Sequence, residues 1–144
     1  EVDELNAVLG LARVAMDGEA ADAIDQIQKW LVTLMGELAM PEGENAAYDK
    51  AGFGRISETE IAWVENLSGQ IEGDRKFAGW LRPGAVGGEL AARLHIARTV
   101  ARRAERSTWN VSEKVATAEL RIFLNRLSDA LWLMARKSEE GEQA

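Results

Sequence analysis

The chain has 144 residues, 47 % of them apolar, with a formal net charge of -7 and no cysteine. That length supports one domain with a real hydrophobic core, and the apolar fraction excludes wholesale disorder. The acidic balance excludes a general nucleic-acid binder, which needs a broad basic surface, and the lack of cysteine excludes disulfides and thiolate metal sites.

The first helix is expected over residues 3–15, with Leu5, Val8, Leu9 and Ala12 on one stripe. The second spans about 20–40, where Ile24, Ile27, Leu31, Leu34, Met35 and Leu38 recur at helical steps until Pro41 ends it. Polar and Gly-rich residues as far as Arg55 predict a loop. Ser57 then caps a third helix, with Glu60 completing a capping box and Ile61, Val64, Leu67 and Ile71 as its stripe. Residues 76–88 carry Gly79, Pro83, Gly84, Gly87 and Gly88 with Phe77 and Trp80, which predicts a loop that folds back and packs. The fourth helix is expected over 89–108, with an inner stripe of Leu90, Leu94, Ala97, Ala101 and Ala104. The fifth runs from about Ser112 to Arg136, with Val115, Ala118, Ile122, Leu127, Leu131 and Met134 inward, and the polar tail from Lys137 is expected to fray. No segment alternates long enough to form a strand. The fold class is therefore all-α, a five-helix antiparallel bundle forming one domain over 1–144. No apolar run reaches the roughly 18 residues of a membrane span, and Glu1-Val2-Asp3-Glu4 is not a signal-peptide start. No membrane insertion and a cytoplasmic location are expected.

Charge is unevenly placed. Arg98, Arg102, Arg103 and Arg106 fall within nine residues of a chain with only 17 Lys and Arg. His95, Arg98, Arg102 and Glu105 make one polar strip on the fourth helix. The strip reads either as a solvated, salt-bridged face, with Glu89 pairing Arg93 and Glu105 pairing Arg102, or as a polyphosphate-binding face, since the guanidinium fork suits phosphate oxygens. Asn125, Ser128 and Asp129 cluster on the fifth helix, where they can bind a sugar hydroxyl, hold a metal-bound water, orient an arginine, or bond between helices. Asp3 can favour a helix start or counter an arginine. His95 is the only histidine, so it reads as a hydrogen-bonded structural group rather than a metal site or general base. Trp30, Trp63 and Trp132 read as packing residues. Trp80, in the Gly-rich loop, either covers a flat apolar ligand or anchors the loop.

These stretches resemble the PduO-type ATP:cob(I)alamin adenosyltransferases. The resemblance lies in Val2-Asp3-Glu4-Leu5-Asn6, in Glu37-Leu38-Ala39, in residues 94–106 (LHIARTVARRAER), and in Asn125-Arg126-Leu127-Ser128-Asp129 with Ala135-Arg136. It covers nearly the whole chain in order. It implies a bundle assembled as a homotrimer with intersubunit active sites, and ATP, Mg2+ and cobalamin, the last as substrate. Cobalt(I) attacks the 5′ carbon of ATP and triphosphate leaves, so no general base is needed. Arg98, Arg102 and Asp3 are implied as catalytic, with Arg98 and Asp3 paired between subunits. Arg98, Arg102, Arg103, Glu105, Asn125 and Arg126 are implied to hold the nucleotide and its polyphosphate, and Trp80, Asn6 and His95 to contact the corrinoid. Which residues hold the metal is left open.

The chain departs from the family pattern in two places. The family shows Phe-Ile/Val-Leu-Pro-Gly-Gly where this chain has Trp80-Leu81-Arg82-Pro83-Gly84 in a longer loop. The Gly- and Thr-rich ATP-binding segment that precedes the Val-Asp-Glu-Leu-Asn stretch in the family is not in this sequence. Those departures leave an alternative, a non-catalytic nucleotide- or corrinoid-binding homologue serving as sensor, chaperone or assembly partner. A structural helical module is a third reading. A corrinoid reductase or an adenosylcobalamin-dependent enzyme is the expected partner, and no nucleic acid.

Overall fold

A computed structural model describes residues 1–77 and 79–143, so Ala78 in the expected loop and Ala144 at the expected domain end lie outside the described residues. Six helices form: α1 (Val2–Arg13), α2 (Gly18–Ala39), α3 (Asn45–Lys50), α4 (Glu58–Glu72), α5 (Gly88–Thr108) and α6 (Ala118–Gln143). Five of them are the long helices expected. The sixth, α3, replaces part of the expected loop after Pro41. It has no buried residue and is held from outside, by Arg55 Nε on Asp49 at 2.6 Å and by Tyr48 donating to the Gly54 carbonyl at 2.8 Å. With no apolar stripe, its short helix carries no signal in the periodicity.

Pairwise contacts fix the helix directions. Gln28 Nε2 reaches the Asn6 carbonyl and Arg13 bridges Asp25, so α1 and α2 run antiparallel. Arg103 meets Glu4 while Arg93 reaches Leu11, so α5 is antiparallel to α1. Asn125 meets Glu105 and His95 meets Glu139, so α6 is antiparallel to α5. Arg126 meets Glu65 and Arg75 meets Glu140, so α4 lies parallel to α6. The most extensive packing is between α5 and α6. Ala97, Ala101 and Ala104 of α5 are fully or almost fully buried in one core with the α6 residues Leu120, Phe123, Leu124, Leu127 and Leu131.

The fifth long helix begins six residues later than the sequence suggests. Residues 112–116 form a turn, and Thr117 Oγ1 accepts from the Leu120 amide as the cap, an N-terminal hydroxyl outcompeting Ser112 for that role. The expected stripe of this helix is not one face: Ala118 and Ile122 lie on the opposite side of the helix from Leu127, Leu131 and Met134, the side that Leu120, Phe123 and Leu124 share. Leu120, Phe123 and Leu124 are buried, whereas Ala118 and Ile122, expected inward, are exposed. The α4 start is as read: Ser57 and Glu60 form the capping box, with the Ser57 amide on Glu60 Oε2 at 2.8 Å. Glu1, not Asp3, occupies the α1 cap position, and its side chain makes no cap bond.

Two buried polar groups lock the ends of the bundle. Arg121 donates to the Thr108 and Val111 carbonyls at 2.8 and 3.0 Å and stacks on Trp109, which satisfies orphan carbonyls at the end of α5. Glu37 is fully buried, accepts from the Ile56 amide, and has a second oxygen without a partner among the described residues. Burial pushes its carboxyl above the ordinary value of 4.5. The unfolded chain therefore releases this proton at lower pH than the folded one, and the group's contribution to stability falls as pH rises above 4.5. Glu37→Gln keeps an acceptor for Ile56 and removes the titration, so its denaturant midpoint should fall less with rising pH than that of the wild type. Equal pH profiles in urea titrations at pH 4 to 8 would contradict this. Gly87 has φ +86°, and a Cβ there would lie 2.6 Å from the Ala91 Cβ and 3.0 Å from the Glu139 backbone. Gly87→Ala should cost about 2–3 kcal/mol through strain and overpacking, read as a lower urea midpoint with an unchanged slope.

Candidate functional site

Of the arginines on α5, two are neutralised inside the chain. Arg93 donates to Glu89 and to the Leu11 carbonyl, each at 2.6 Å. Arg103 pairs with Glu4 at 2.7 Å and Glu1 at 3.8 Å, which ties α5 to α1. Arg98 and Arg102, one turn apart on the same face, meet no carboxylate within ion-pair distance among the described residues, and neither does Arg106. Like charges at this spacing repel by a few tenths of a kcal/mol, roughly 0.2–0.5, unless an anion meets them. The expected local pair of Glu105 with Arg102 does not form.

Glu105 is instead held by Asn125, whose Nδ2 donates to its carboxylate at 3.2 Å. The Asn125 Oδ1 accepts from Arg126 Nη1 at 2.6 Å, and Arg126 Nε reaches Glu65 at 3.0 Å. Glu105, Asn125, Arg126 and Glu65 thus form one chain of charge-assisted bonds across α5, α6 and α4. Of the readings left open for the α6 cluster, this network supplies orientation of an arginine and bonding between helices. Ser128 bonds back to the Asn125 carbonyl at 2.7 Å, while Asp129 is exposed. Asp3 is exposed and forms no ion pair with Arg98 within the chain. Asn6 keeps its carbonyl on Gln28, and its Oδ1 is buried without a partner among the described residues.

The other cluster surrounds the loop after α4. Phe77 anchors that loop, edge-on to Trp132 at 5.8 Å with the Arg136 guanidinium over its ring. Trp80 does not pack as expected of the loop aromatics: it is 79 % exposed. Anchoring by Phe77 leaves Trp80 free to cover a ligand. Gly79, Trp80, Leu81 and Pro83 face His95, Arg98, Trp132 and Arg136 across a cavity of about 200 Å³. Three residues expected in the site, Trp80, His95 and Arg98, are therefore brought to one place. A larger cleft, about 840 Å³, opens beside Trp63, Leu67 and Met134 and contains none of the expected site residues.

The polar tail supplies what the sequence reading missed. Glu139, expected in a frayed end, is 1 % exposed, and its carboxyl meets His95 Nε2 at 2.5 Å and Arg136 Nη1 at 2.9 Å. The Arg136 to Glu139 spacing, i to i+3, was the available signal that helix and burial continue past Lys137.

Comparison with known proteins identifies the family. The family model described as cobalamin adenosyltransferase matches residues 1–138. The chain belongs to the cobalamin adenosyltransferase family. A corrinoid adenosyltransferase from Mycobacterium leprae is 33 % identical over 150 residues, spanning 98 % of this chain and 76 % of the relative. A phenylalanine-to-alanine variant of the PduO-type ATP:corrinoid adenosyltransferase from Lactobacillus reuteri, solved with cobalamin and ATP, superposes with a TM-score of 0.82 at 28 % identity, covering 99 % of this chain and 78 % of that one. An arginine-to-lysine variant of the same enzyme with ATP gives 0.79 at 27 % identity, over 99 % and 79 % of the two chains. The helical-bundle class read from the sequence is that of the family. Among the described residues no helix is long and apolar enough to cross a membrane.

The Glu105–Asn125 contact is the joint of the interhelical network. In a double-mutant cycle of Glu105→Ala and Asn125→Ala on unfolding free energy, the coupling should be about 1 kcal/mol, since the bond is charge-assisted but only half-buried. Additive effects would show that the two residues do not act together.

Proposed function

We propose that this chain transfers the 5′-deoxyadenosyl group of ATP to cob(I)alamin and releases triphosphate. The observation that carries the reading is the pair Arg98 and Arg102. They are the two arginines of the strip that share a face and meet no carboxylate within ion-pair distance among the described residues, while Arg93 and Arg103 are paired. Cobalt(I) brings the electron pair that forms the new bond to C5′, and the C5′–O5′ bond breaks with its electrons leaving on triphosphate. Charge grows on the leaving oxygen, and fixed guanidinium donors stabilise that growth more than they stabilise bound ATP. The chain needs no acid–base dyad for this, since no proton moves in the bond-making step.

Each side chain has a proposed part. Arg98 and Arg102 hold the polyphosphate. Asn125 and Arg126 orient Glu105 toward the nucleotide, and Arg103 supports that surface by fixing α5 on α1. Trp80, His95 and Asn6 face the corrinoid. Asp3, unpaired within the chain, supplies the counter-charge to Arg98 of a neighbouring subunit in a homotrimer with intersubunit active sites. No group of three or more His, Cys, Asp or Glu side chains among the described residues is arranged to hold a metal. Magnesium fits here as the ATP complex, with phosphate oxygens and water as its main ligands. A corrinoid reductase supplies the cobalt(I) substrate and an adenosylcobalamin-dependent enzyme takes the product. ATP and a strongly reduced substrate both favour the cytoplasm.

The test is an anaerobic assay of the full-length protein with ATP, magnesium and reduced cobalamin, followed by the absorbance of adenosylcobalamin. Product is expected, and Arg102→Ala should lower kcat by roughly a hundredfold or more with a smaller change in KM, because the lost contact strengthens as triphosphate departs. No product while both substrates bind would favour a non-catalytic binding protein.

A further inference from the structure

The cavity beneath Trp80 contains two buried polar atoms of opposite hydrogen-bonding sense. His95 is 6 % exposed, and its Nδ1 has no partner among the described residues. Arg98 Nε, three residues along the same face of α5, is also buried and also without one. Both side chains line the cavity. Buried polar atoms in folded proteins are normally satisfied, so this pair calls for a group that enters from outside.

Glu139 decides which nitrogen of His95 carries the proton. Arg136 donates to Glu139 Oε2 at 2.9 Å, and a carboxyl held this way is an ionised acceptor. The ring nitrogen 2.5 Å from Oε1 must then be the donor. In the neutral imidazole, Nε2 is N–H and Nδ1 presents a lone pair to the cavity. Arg98 Nε can only donate. An acceptor beside a donor on one helix face is complementary to a primary carboxamide, whose N–H points to Nδ1 and whose carbonyl accepts from Nε–H. A carboxylate would set its own lone pairs against that of Nδ1.

We propose that this cavity is a carboxamide subsite that seats one amide arm of the corrinoid rim, with Glu139 as the positioning residue that sets the His95 tautomer. The inference rests on the corrinoid reading above, because a corrin ring carries acetamide and propionamide arms around its edge. The cavity has the size and lining for such an arm. Its volume of about 200 Å³ admits an amide side chain, Trp132 and Pro83 line it, and the exposed Trp80 stands at its edge for the ring to lie against. Two hydrogen bonds to one arm fix the rotation of the ring as well as its presence.

The test measures binding rather than turnover. Cobalamin and a panel of cobalamins, each with one peripheral amide hydrolysed to a carboxylate, are titrated against the full-length protein by quenching of tryptophan fluorescence. One panel member should bind about tenfold more weakly than cobalamin, since a buried acceptor is left facing a group that cannot donate to it, and the rest should bind alike. His95→Phe should erase the difference. In Glu139→Gln, Arg136 takes the amide oxygen, the amide N–H2 faces His95, and the proton moves to Nδ1. The same panel member should then bind better than cobalamin. Uniform binding across the panel, or a penalty that persists in His95→Phe, overturns the subsite, and an unchanged preference in Glu139→Gln overturns the positioning role. Failure of cobalamin itself to bind the wild type would overturn the corrinoid reading and the subsite with it.

Discussion

The close packing of α5 on α6 is the constraint on which the rest of this molecule depends. Ala97, Ala101 and Ala104 of α5 and Leu124, Leu127 and Leu131 of α6 are buried in one apolar core. With that seam fixed, residues far apart in sequence meet at set heights along it. Glu105 meets Asn125 at one level and His95 meets Glu139 at another. Both candidate clusters are consequences of one apolar register, and a larger residue in the alanine stripe would displace both together.

The same seam explains how an acidic protein keeps an arginine-rich helix. Apolar burial supplies the stability of α5, so its outer face is free to carry charge that an isolated helix would not tolerate. Part of that charge serves architecture: Arg93 and Arg103 bind α1. Arg98 and Arg102 meet no carboxylate within ion-pair distance among the described residues. Division of labour within one motif follows from the angular position of each residue on the helix. Residues facing α1 find its carboxylates and carbonyls, and residues turned away from it do not.

The loop after α4 is organised by a different balance. Phe77 is held by Trp132 and Arg136, and Gly79, Trp80, Leu81 and Pro83 arch over the α5–α6 seam opposite His95 and Arg98. Gly87 closes the arch, since any side chain there would meet α5 and α6 at once. Arg136 links the two halves of the region, stacking on the loop aromatic and donating to Glu139 from the same guanidinium.

Sequence by itself determined the helical class, the α4 capping box, the core stripes of α1, α2, α4 and α5, and the arginine strip, because each is written in local spacing. The long motifs at residues 94–106 and 125–129 also pointed to the family before any coordinates. Tertiary structure decided what spacing cannot express. The start of α6 depended on Thr117 winning the cap, and packing on α5 and α4 decided that the side carrying Phe123, not the side carrying Ile122, is buried. The burial of Glu139 depended on His95 waiting across the seam and on Arg136 one turn back along α6, so a polar tail that looks solvated became part of the core. Pairs within one helix, Arg93 with Glu89 and Arg136 with Glu139, are legible in i, i+4 and i, i+3 spacing, but the carboxylates of Arg103 lie at the start of α1. Periodicity reports which face of a helix is apolar, but a partner on another helix is set by three-dimensional distance, and no single-helix pattern contains it.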